Sequence, residues 1–314
     1  MILIITRRDD VHADLVIREL DVLGESVFRL NTEVVDEYEI TLTPDQGIIA
    51  HPATGREIQT SQVKSVWLRR RSFPESLPDD YRAFLEQEWT LFLRNLWVTL
   101  GDAFWISHPL ALEVARDKLN QLRLARKIGF NVPRTVVTNS ARHVGKLQAN
   151  NPQIIYKPHD GGYVDRKHEQ VIYTNLIEET ITSEEHGESL RINPGIFQDY
   201  LEKNHEVRVT VVGPKVFAAR IDSQSSNRTR VDWRRYDQRM VEHTAMNLPS
   251  EIEEHCVKLV ESLNLQFGAI DLVVTPDGKY YFLEINANGQ WAWIEIITGQ
   301  PIANAIAQLL ARRG

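Results

Sequence analysis

The stretch from Gln266 to Asn286 limits this chain's fold more than any other. Two apolar runs, Gln266–Thr275 and Lys279–Ile285, flank Pro276-Asp277-Gly278, and that pattern reads as a β-hairpin. Set into the runs are Asp271, in Gly268-Ala-Ile-Asp271, and Glu284 and Asn286, in Tyr281-Phe-Leu-Glu284-Ile-Asn286. Alternate strand residues share a face, so Glu284 and Asn286 point the same way, and Asp271 can face them across the ladder. Two bare carboxylates inside apolar strands would repel each other. A hard divalent cation removes that cost, and Mg²⁺ favours such oxygen ligands, above all where phosphates complete its shell. The plainer alternative is a set of strand-end charges facing solvent, against which stand the apolar flanks Ala269-Ile270 and Phe282-Leu283.

A chain of 314 residues exceeds what one hydrophobic core usually holds, so two or three units are expected. A net charge of −7 argues against nucleic-acid binding, which needs a concentrated basic face. No apolar run approaches the ~20 residues of a bilayer span, and Met1–Ile5 is too short for a signal-peptide core. A soluble, cytoplasmic protein with no membrane or nucleic-acid partner is the expectation. The single cysteine, Cys256, sits in the helical pattern Ile252–Val260 and reads as a buried, reduced thiol. The ten histidines show no zinc-ligand spacing.

The first hundred residues read as a small α/β unit. Met1–Thr6 is a continuous apolar run, as in a buried parallel strand. Val11–Leu23 has helical spacing and is stopped by Gly24. Ser26–Leu30, a hairpin of Tyr38–Leu42 with Gly47–Ala50, and Val63–Leu68 supply further strands, and Tyr81–Leu100 is a long helix rich in Leu, Phe and Trp. No Gly-x-Gly-x-x-Gly follows the first strand, so this unit reads as a scaffold and not a dinucleotide site. Beyond His108-Pro109 the pattern predicts one helix over Leu110–Ile128 closed by Gly129, and strands at Arg134–Val137, Ile154–Pro158 and Gln170–Thr174. Strands at Gly195–Tyr200, Glu206–Val212 and Lys215–Asp222 follow. Ser223 to about Asn247 reads as a polar loop. A helix over Ile252–Leu263 precedes the hairpin, and helices near Trp291–Ile297 and Pro301–Arg312 close the chain.

Several cations are placed to meet phosphate. Lys157 ends an apolar strand directly before Asp160-Gly161-Gly162, and glycines let backbone N–H groups approach phosphate oxygens. Lys118 sits in a helix, where a solvated lysine is the plain alternative. Ile196-Phe-Gln198-Asp199-Tyr200-Leu201 passes from apolar to polar and could offer backbone groups to an adenine edge, with a carboxylate nearby for a ribose. Arg208 lies inside a Val-rich strand and needs an anion; phosphate suits its fork, and a structural pair with Asp or Glu is the alternative. Arg220, on the neighbouring strand, is expected close to Arg208.

In this order the features resemble the ATP-grasp ligases over about residues 107–312. The resemblance implies an α/β fold, a pre-ATP-grasp domain (1–106) followed by an ATP-grasp fold whose central (107–195) and C-terminal (196–314) subdomains clasp ATP. It also implies that Lys118 and Lys157 contact the nucleotide phosphates while Gly161 and Gly162 close over them. Gln198, Asp199, Tyr200 and Leu201 would form the adenine hinge, with Glu206 on the ribose. Asp271, Glu284 and Asn286 would ligate Mg²⁺, and Arg208 would meet the γ-phosphate. The tail Asn286-Ala-Asn-Gly-Gln290-Trp291, the segment Arg208-Val-Thr-Val-Val and the loop Val231-Asp-Trp-Arg234-Arg-Tyr236 are similar to those of the graspetide synthetases, with Ala287 where that family usually has proline. Those enzymes bind the leader of a ribosomal precursor peptide and join core Asp or Glu carboxylates to Ser, Thr or Lys side chains. On that resemblance Arg234 would gather an acidic core peptide, with Arg208 and Arg220 as further catalytic candidates. Two other readings stay open: a ligase joining an amino acid to a protein tail or joining small molecules, and a nucleotide-binding docking module without catalysis. The aromatic surface of Tyr81–Leu100 suggests a homodimer.

Overall fold

The opening apolar run becomes β1 (Ile2–Thr6), buried along its whole length. Asp10 then starts α1 (Val11–Val22), its carboxylate accepting from the His12 N–H, and Gly24 takes a φ of 73° just past the helix end. β2 (Val27–Asn31) runs parallel to β1. The expected hairpin is present as β3 (Glu39–Leu42) and β4 (Gly47–His51), and β5 (Arg56–Gln59) extends it to three strands. β6 (Ser65–Leu68) pairs parallel with the other side of β1. After α2 (Arg82–Thr99), β7 (Phe104–Ile106) completes the order β2-β1-β6-β7. Leu93, Leu96 and Trp97 of α2 join Phe28, Ile49 and Trp105 in one core.

This computed structural model describes residues 1–74, 76–159, 163–165, 170–225 and 241–311. Two units divide the chain: Met1–Leu112 with Asn264–Phe267 and Asn288–Gly314, and Glu113–Leu263 with Gly268–Ala287.

The helix expected over Leu110–Ile128 is two helices, α3 (Pro109–Val114) and α4 (Lys118–Ile128). The break falls where Asp117 caps α4, accepting from the N–H groups of Leu119 and Asn120 at 3.0 and 3.2 Å. Periodicity alone does not reveal a cap inside an otherwise helical stretch. β8 (Thr135–Thr138), α5 (Ala141–Gln148) and β9 (Ile154–Lys157) follow. A short ribbon of β10 (Tyr163–Asp165) and β11 (Gln170–Val171), then β12 (Asn175–Ile177), α6 (Ser183–Ile192) and β13 (Gly195–Asp199), complete this half. β12-β9-β13-β8 form an antiparallel sheet. Ile154 and Phe197 turn to Val144 and Leu147 of α5, so Ile155, Lys157 and Gln198 take the opposite face.

The second sheet of this unit has the order β16-β15-β14-β17-β18, built from β14 (His205–Val212), β15 (Lys215–Ile221), β16 (His243–Met246), β17 (Phe267–Val274) and β18 (Tyr280–Asn286). β16 lies where the sequence suggests only loop. It is only four residues long and gains its strand character from pairing with β15, which a local reading does not see. α7 (Ser250–Ser262) covers one face. Gly268 allows that close approach, since a Cβ there would come within 2.6 Å of Ile285 Cδ1 and 3.0 Å of Val260 Cγ2. Ile285 therefore faces α7, and Glu284 and Asn286 face away from it.

The closing helices α8 (Ala292–Thr298) and α9 (Ile302–Ala311) belong to the first unit. Ile302, Ile306 and Leu310 are fully buried. Asn304 donates to the Glu19 carboxylate at 2.7 Å, and Ser65 Oγ donates to the Leu310 carbonyl at 2.7 Å. No described helix is long and apolar enough to cross a membrane.

Candidate active site

The expected carboxylate pair forms as the strand alternation requires. Asp271 lies opposite Glu284 in the β17–β18 ladder, and Ala269 lies opposite Asn286, with a register irregularity just after Asp271. Both carboxylates are mostly buried, at 14% and 19% side-chain exposure. Each has a cation beside it. Arg208 Nη1 donates to Asp271 Oδ1 at 2.6 Å, and Lys118 Nζ stands 3.7 Å from Glu284 Oε2. Lys118 also donates to the Pro158 carbonyl at 3.1 Å, which ties the start of α4 to the end of β9. Among the described residues no three His, Cys, Asp or Glu side chains converge as a metal site. A cation here would have two carboxylates and the Asn286 carboxamide, and would need ligand oxygens to complete its shell. That donor set fits Mg²⁺ carried by a polyphosphate better than a metal held by protein alone.

α4 supplies a residue the sequence reading overlooked. Gln121 is buried, and its side-chain amide accepts from the Ile285 N–H at 3.0 Å and donates to the Ile285 carbonyl at 2.9 Å. It thus acts as a one-residue strand partner at the position between Glu284 and Asn286. A third bond, to the Ala115 carbonyl at 2.6 Å, fixes the amide to the turn before α4. Lys118 and Gln121, three residues apart, lie on neighbouring parts of one helical face. One rigid element therefore presents a cation to Glu284 and holds the backbone that carries it.

An open cleft runs from these carboxylates to the first sheet of the unit. Lys157 and Gln198 line it together with Tyr200, Leu201 and Glu206. Gln198 is 2% exposed; its amide donates to Thr135 Oγ1 at 2.9 Å, while its Oε1 has no partner. That oxygen is itself shielded from solvent within the cleft wall. The Asp199 carboxylate is taken by Arg134, with contacts of 2.6 and 3.0 Å that hold the guanidinium above its ordinary pKa. The Tyr200 N–H donates to the Gln153 carbonyl at 3.0 Å. Glu206, 7% exposed, is paired with Lys203 at 2.8 Å. Lys203 also lines the cleft, and nothing in its polar turn marked it as buried.

Arg220 is not brought to this cluster. Arg208 pairs with Ala219 and Arg220 pairs with Val207, so the two guanidiniums leave opposite faces of the sheet. Arg220 instead binds Asp222 at 2.8 Å. The expectation that the two arginines lie close is thereby corrected; adjacency of strands does not fix which face a residue takes. Gly161, Gly162 and Arg234 lie outside the described residues. Arg69, of the Arg69–Arg71 run that the sequence leaves without a role, is buried in the first unit and donates to the Asn288 carbonyl at 2.9 Å.

Lysines and a carboxylate pair thus border one cleft. Residues 1–112 match the MvdD pre-ATP-grasp domain, and residues 115–310 match the RimK-like ATP-grasp domain. The chain belongs to the RimK-like ATP-grasp family, and by class it is an ATP-dependent ligase. It is similar to the macrocyclase MdnC from Microcystis aeruginosa MRC, bound with precursor peptide MdnA. The identity there is 29%, with 99% of this chain and 100% of that chain covered and a TM-score of 0.85. It is also similar to a Chryseobacterium gregarium RiPP-associated ATP-grasp ligase in complex with ADP and a leader and core peptide, at 29% identity, 100% and 97% coverage and a TM-score of 0.90. The macrocyclase MdnB from Microcystis aeruginosa MRC follows at 27% identity, 99% and 98% coverage and a TM-score of 0.80. Comparison with curated proteins gives no match.

Proposed function

We propose that this protein is a peptide macrocyclase. It would use ATP to activate Asp or Glu side chains of a ribosomal precursor peptide, then close rings with Ser, Thr or Lys side chains of the same peptide. The observation that carries this reading is full-length similarity to ligases bound to precursor peptides, joined to a cleft lined by Lys157, Gln198, Glu206, Asp271 and Glu284.

The chemistry follows from the groups present. A carboxylate is a poor electrophile at neutral pH. Transfer of the terminal phosphoryl group of ATP to a carboxylate oxygen forms an acyl phosphate and releases ADP. A hydroxyl or amine then attacks the acyl carbon, loses its proton, and expels phosphate, leaving an ester or an amide. Lys118 and Lys157 hold the phosphates, with Gly161 and Gly162 closing over them. Gln198, Asp199, Tyr200 and Leu201 form the adenine hinge, and Glu206, oriented by Lys203, holds the ribose. Asp271, Glu284 and Asn286 would hold Mg²⁺, which offsets phosphate charge when bound. Arg208, fixed by Asp271, faces the transferred phosphoryl group, where a preorganised cation stabilises developing charge. Arg234 gathers the acidic core of the peptide. Arg220, on the other sheet face, has no part in these steps. The partners are the precursor peptide and a second copy of this chain, with no nucleic acid or membrane, and the setting is cytoplasmic.

Intact mass of candidate acidic precursors after incubation with the protein, ATP and Mg²⁺ tests the reading. Successive losses of one water mass per bond support it. A mass gain on an added amino acid or amine would point to an intermolecular ligase instead, and nucleotide binding with no ADP release for any peptide would point to a docking module. In Glu284→Gln the water loss should fall by roughly 10²–10³-fold while precursor binding persists. Arg234→Ala should slow ring closure with nucleotide affinity unchanged.

A further inference from the structure

β14 is valine at four of its eight positions, Val207, Val209, Val211 and Val212, and every residue in it is buried. Thr210 interrupts that run. Its side chain has the shape of valine and a similar preference for strands, and it is 0% exposed. Among the described residues its hydroxyl has no hydrogen-bond partner. Valine would fill this position without leaving a buried polar group unpaired, so the oxygen lowers the stability of the folded chain. A stability cost of this kind marks a group that serves something other than the fold.

Glu206, Arg208 and Thr210 alternate along β14, so they share one face of the sheet. Glu206 lines the cleft, and Arg208 donates to Asp271 at 2.6 Å. At the start of the strand the Asn204 N–H donates to the Val274 carbonyl at 2.8 Å, so β17 runs back as β14 runs forward. Two residues beyond Arg208, Thr210 therefore comes level with Ala269, whose partner across the next ladder is Asn286. Same-face residues stand about 7 Å apart along a strand. The three side chains thus run from the ribose end at Glu206, through the terminal phosphoryl group at Arg208, to a position one step beyond it. In a ligase of this chemistry that step holds the carboxylate about to be phosphorylated. Arg208 is itself 7% exposed, and enclosure of this end suits an acyl phosphate, which water would destroy.

We propose that Thr210 contacts the substrate: its hydroxyl donates to an oxygen of the peptide carboxylate that meets the terminal phosphoryl group of ATP. The inference rests on the proposed peptide-ligase function and adds to it the residue that holds the acceptor. Hydroxylamine tests it, because hydroxylamine attacks an acyl phosphate, expels phosphate and leaves a hydroxamate before any ring can close. With an acidic precursor, ATP and Mg²⁺, Thr210→Val should lower kcat/KM for hydroxamate formation about ten- to a hundredfold, as loss of a hydrogen bond to a charged group does. Its affinity for ADP should match wild type, and its melting temperature should rise by about 2–4 °C. Thr210→Ser should form hydroxamate nearly as fast as wild type. Full activity in Thr210→Val overturns the proposal, as does an equal loss in Thr210→Ser. A lower melting temperature with a parallel fall in ADP affinity also overturns it, since that marks a structural hydroxyl. Thr210→Ala set against Thr210→Ser makes the same comparison if valine disturbs the strand. Wild type that forms hydroxamate but loses no water overturns the macrocyclase reading and leaves Thr210 decided by the hydroxamate rates. Wild type that forms none with any acidic peptide overturns both.

Discussion

Gln121 shows how a residue with no charge can govern a charged site. Its amide completes the backbone bonding of Ile285, and Glu284 and Asn286 project from either side of that residue. Gln121→Leu keeps the volume but leaves a buried N–H and carbonyl without partners, at about 1 kcal/mol for each lost bond. Freedom at Ile285 should spread the two side chains proposed to hold Mg²⁺, so the Mg²⁺ concentration for half-maximal ADP release should rise about tenfold, on the order of 1.4 kcal/mol. A melting temperature that falls while the Mg²⁺ midpoint stays put would show a purely structural amide. Cys256 gives a contrasting case. Burial, then Glu253, pushes its thiol up to about 12. At pH 8 roughly one thiol in 10⁴ is then a thiolate. Iodoacetamide should therefore leave the folded protein unlabelled and add one group after denaturation, which mass spectrometry reads directly.

At the scale of elements, alternation and helical period gave the right kind of element wherever local packing decides it. The β17–β18 hairpin is the clearest example: Asp271, Glu284 and Asn286 share a face because the strand period is two. Gly129 was legible as a helix stop for a similar reason. Its φ is 126°, and a Cβ there would come within 2.8 Å of the His255 ring on α7. Gly129→Ala should cost about 1–3 kcal/mol, measured as a lower urea midpoint with unchanged slope. Elements defined by a remote partner were not legible. β16 depends on β15, β5 depends on β4, and the split of α3 from α4 depends on a side-chain cap. Arg220 belongs here too, since pairing register, and not strand order, sends it to the far face.

For the whole molecule, the chain's end returns to its beginning within the first unit. His12, at the start of α1, lies edge-on to Trp291 at 5.0 Å, and its Nδ1 accepts from the Ala292 N–H at 3.3 Å. Burial, then the Arg69 charge, lowers its pKa from 6.5 to about 3, so it is neutral in the fold. Burial alone would raise Asp10, but Arg69, Thr6 and His12 together hold it below its ordinary value. Both groups bind protons more readily in the unfolded chain, so the stability they lend is complete above pH 6.5 and drains as pH falls toward 3. The urea midpoint should therefore drop between pH 6.5 and pH 4. His12→Asn, which keeps an acceptor for Ala292 and cannot titrate, should flatten that slope by on the order of a few kcal/mol.

Local spacing was enough to read the periodic elements, the apolar strands of the first unit and the facing Asp271 and Glu284 carboxylates. Each of these is a local property: side-chain period, turn chemistry and the cost of burying charge act over a few residues. Only the tertiary structure decided that Gln121 clamps Ile285, that Lys203 orients Glu206, that Arg220 leaves the cleft, and that α8 and α9 join the first unit. Those outcomes depend on contacts between segments as many as 285 residues apart, as between Glu19 and Asn304. A side chain's neighbours across such a distance are set by packing and register, and no local spacing encodes them.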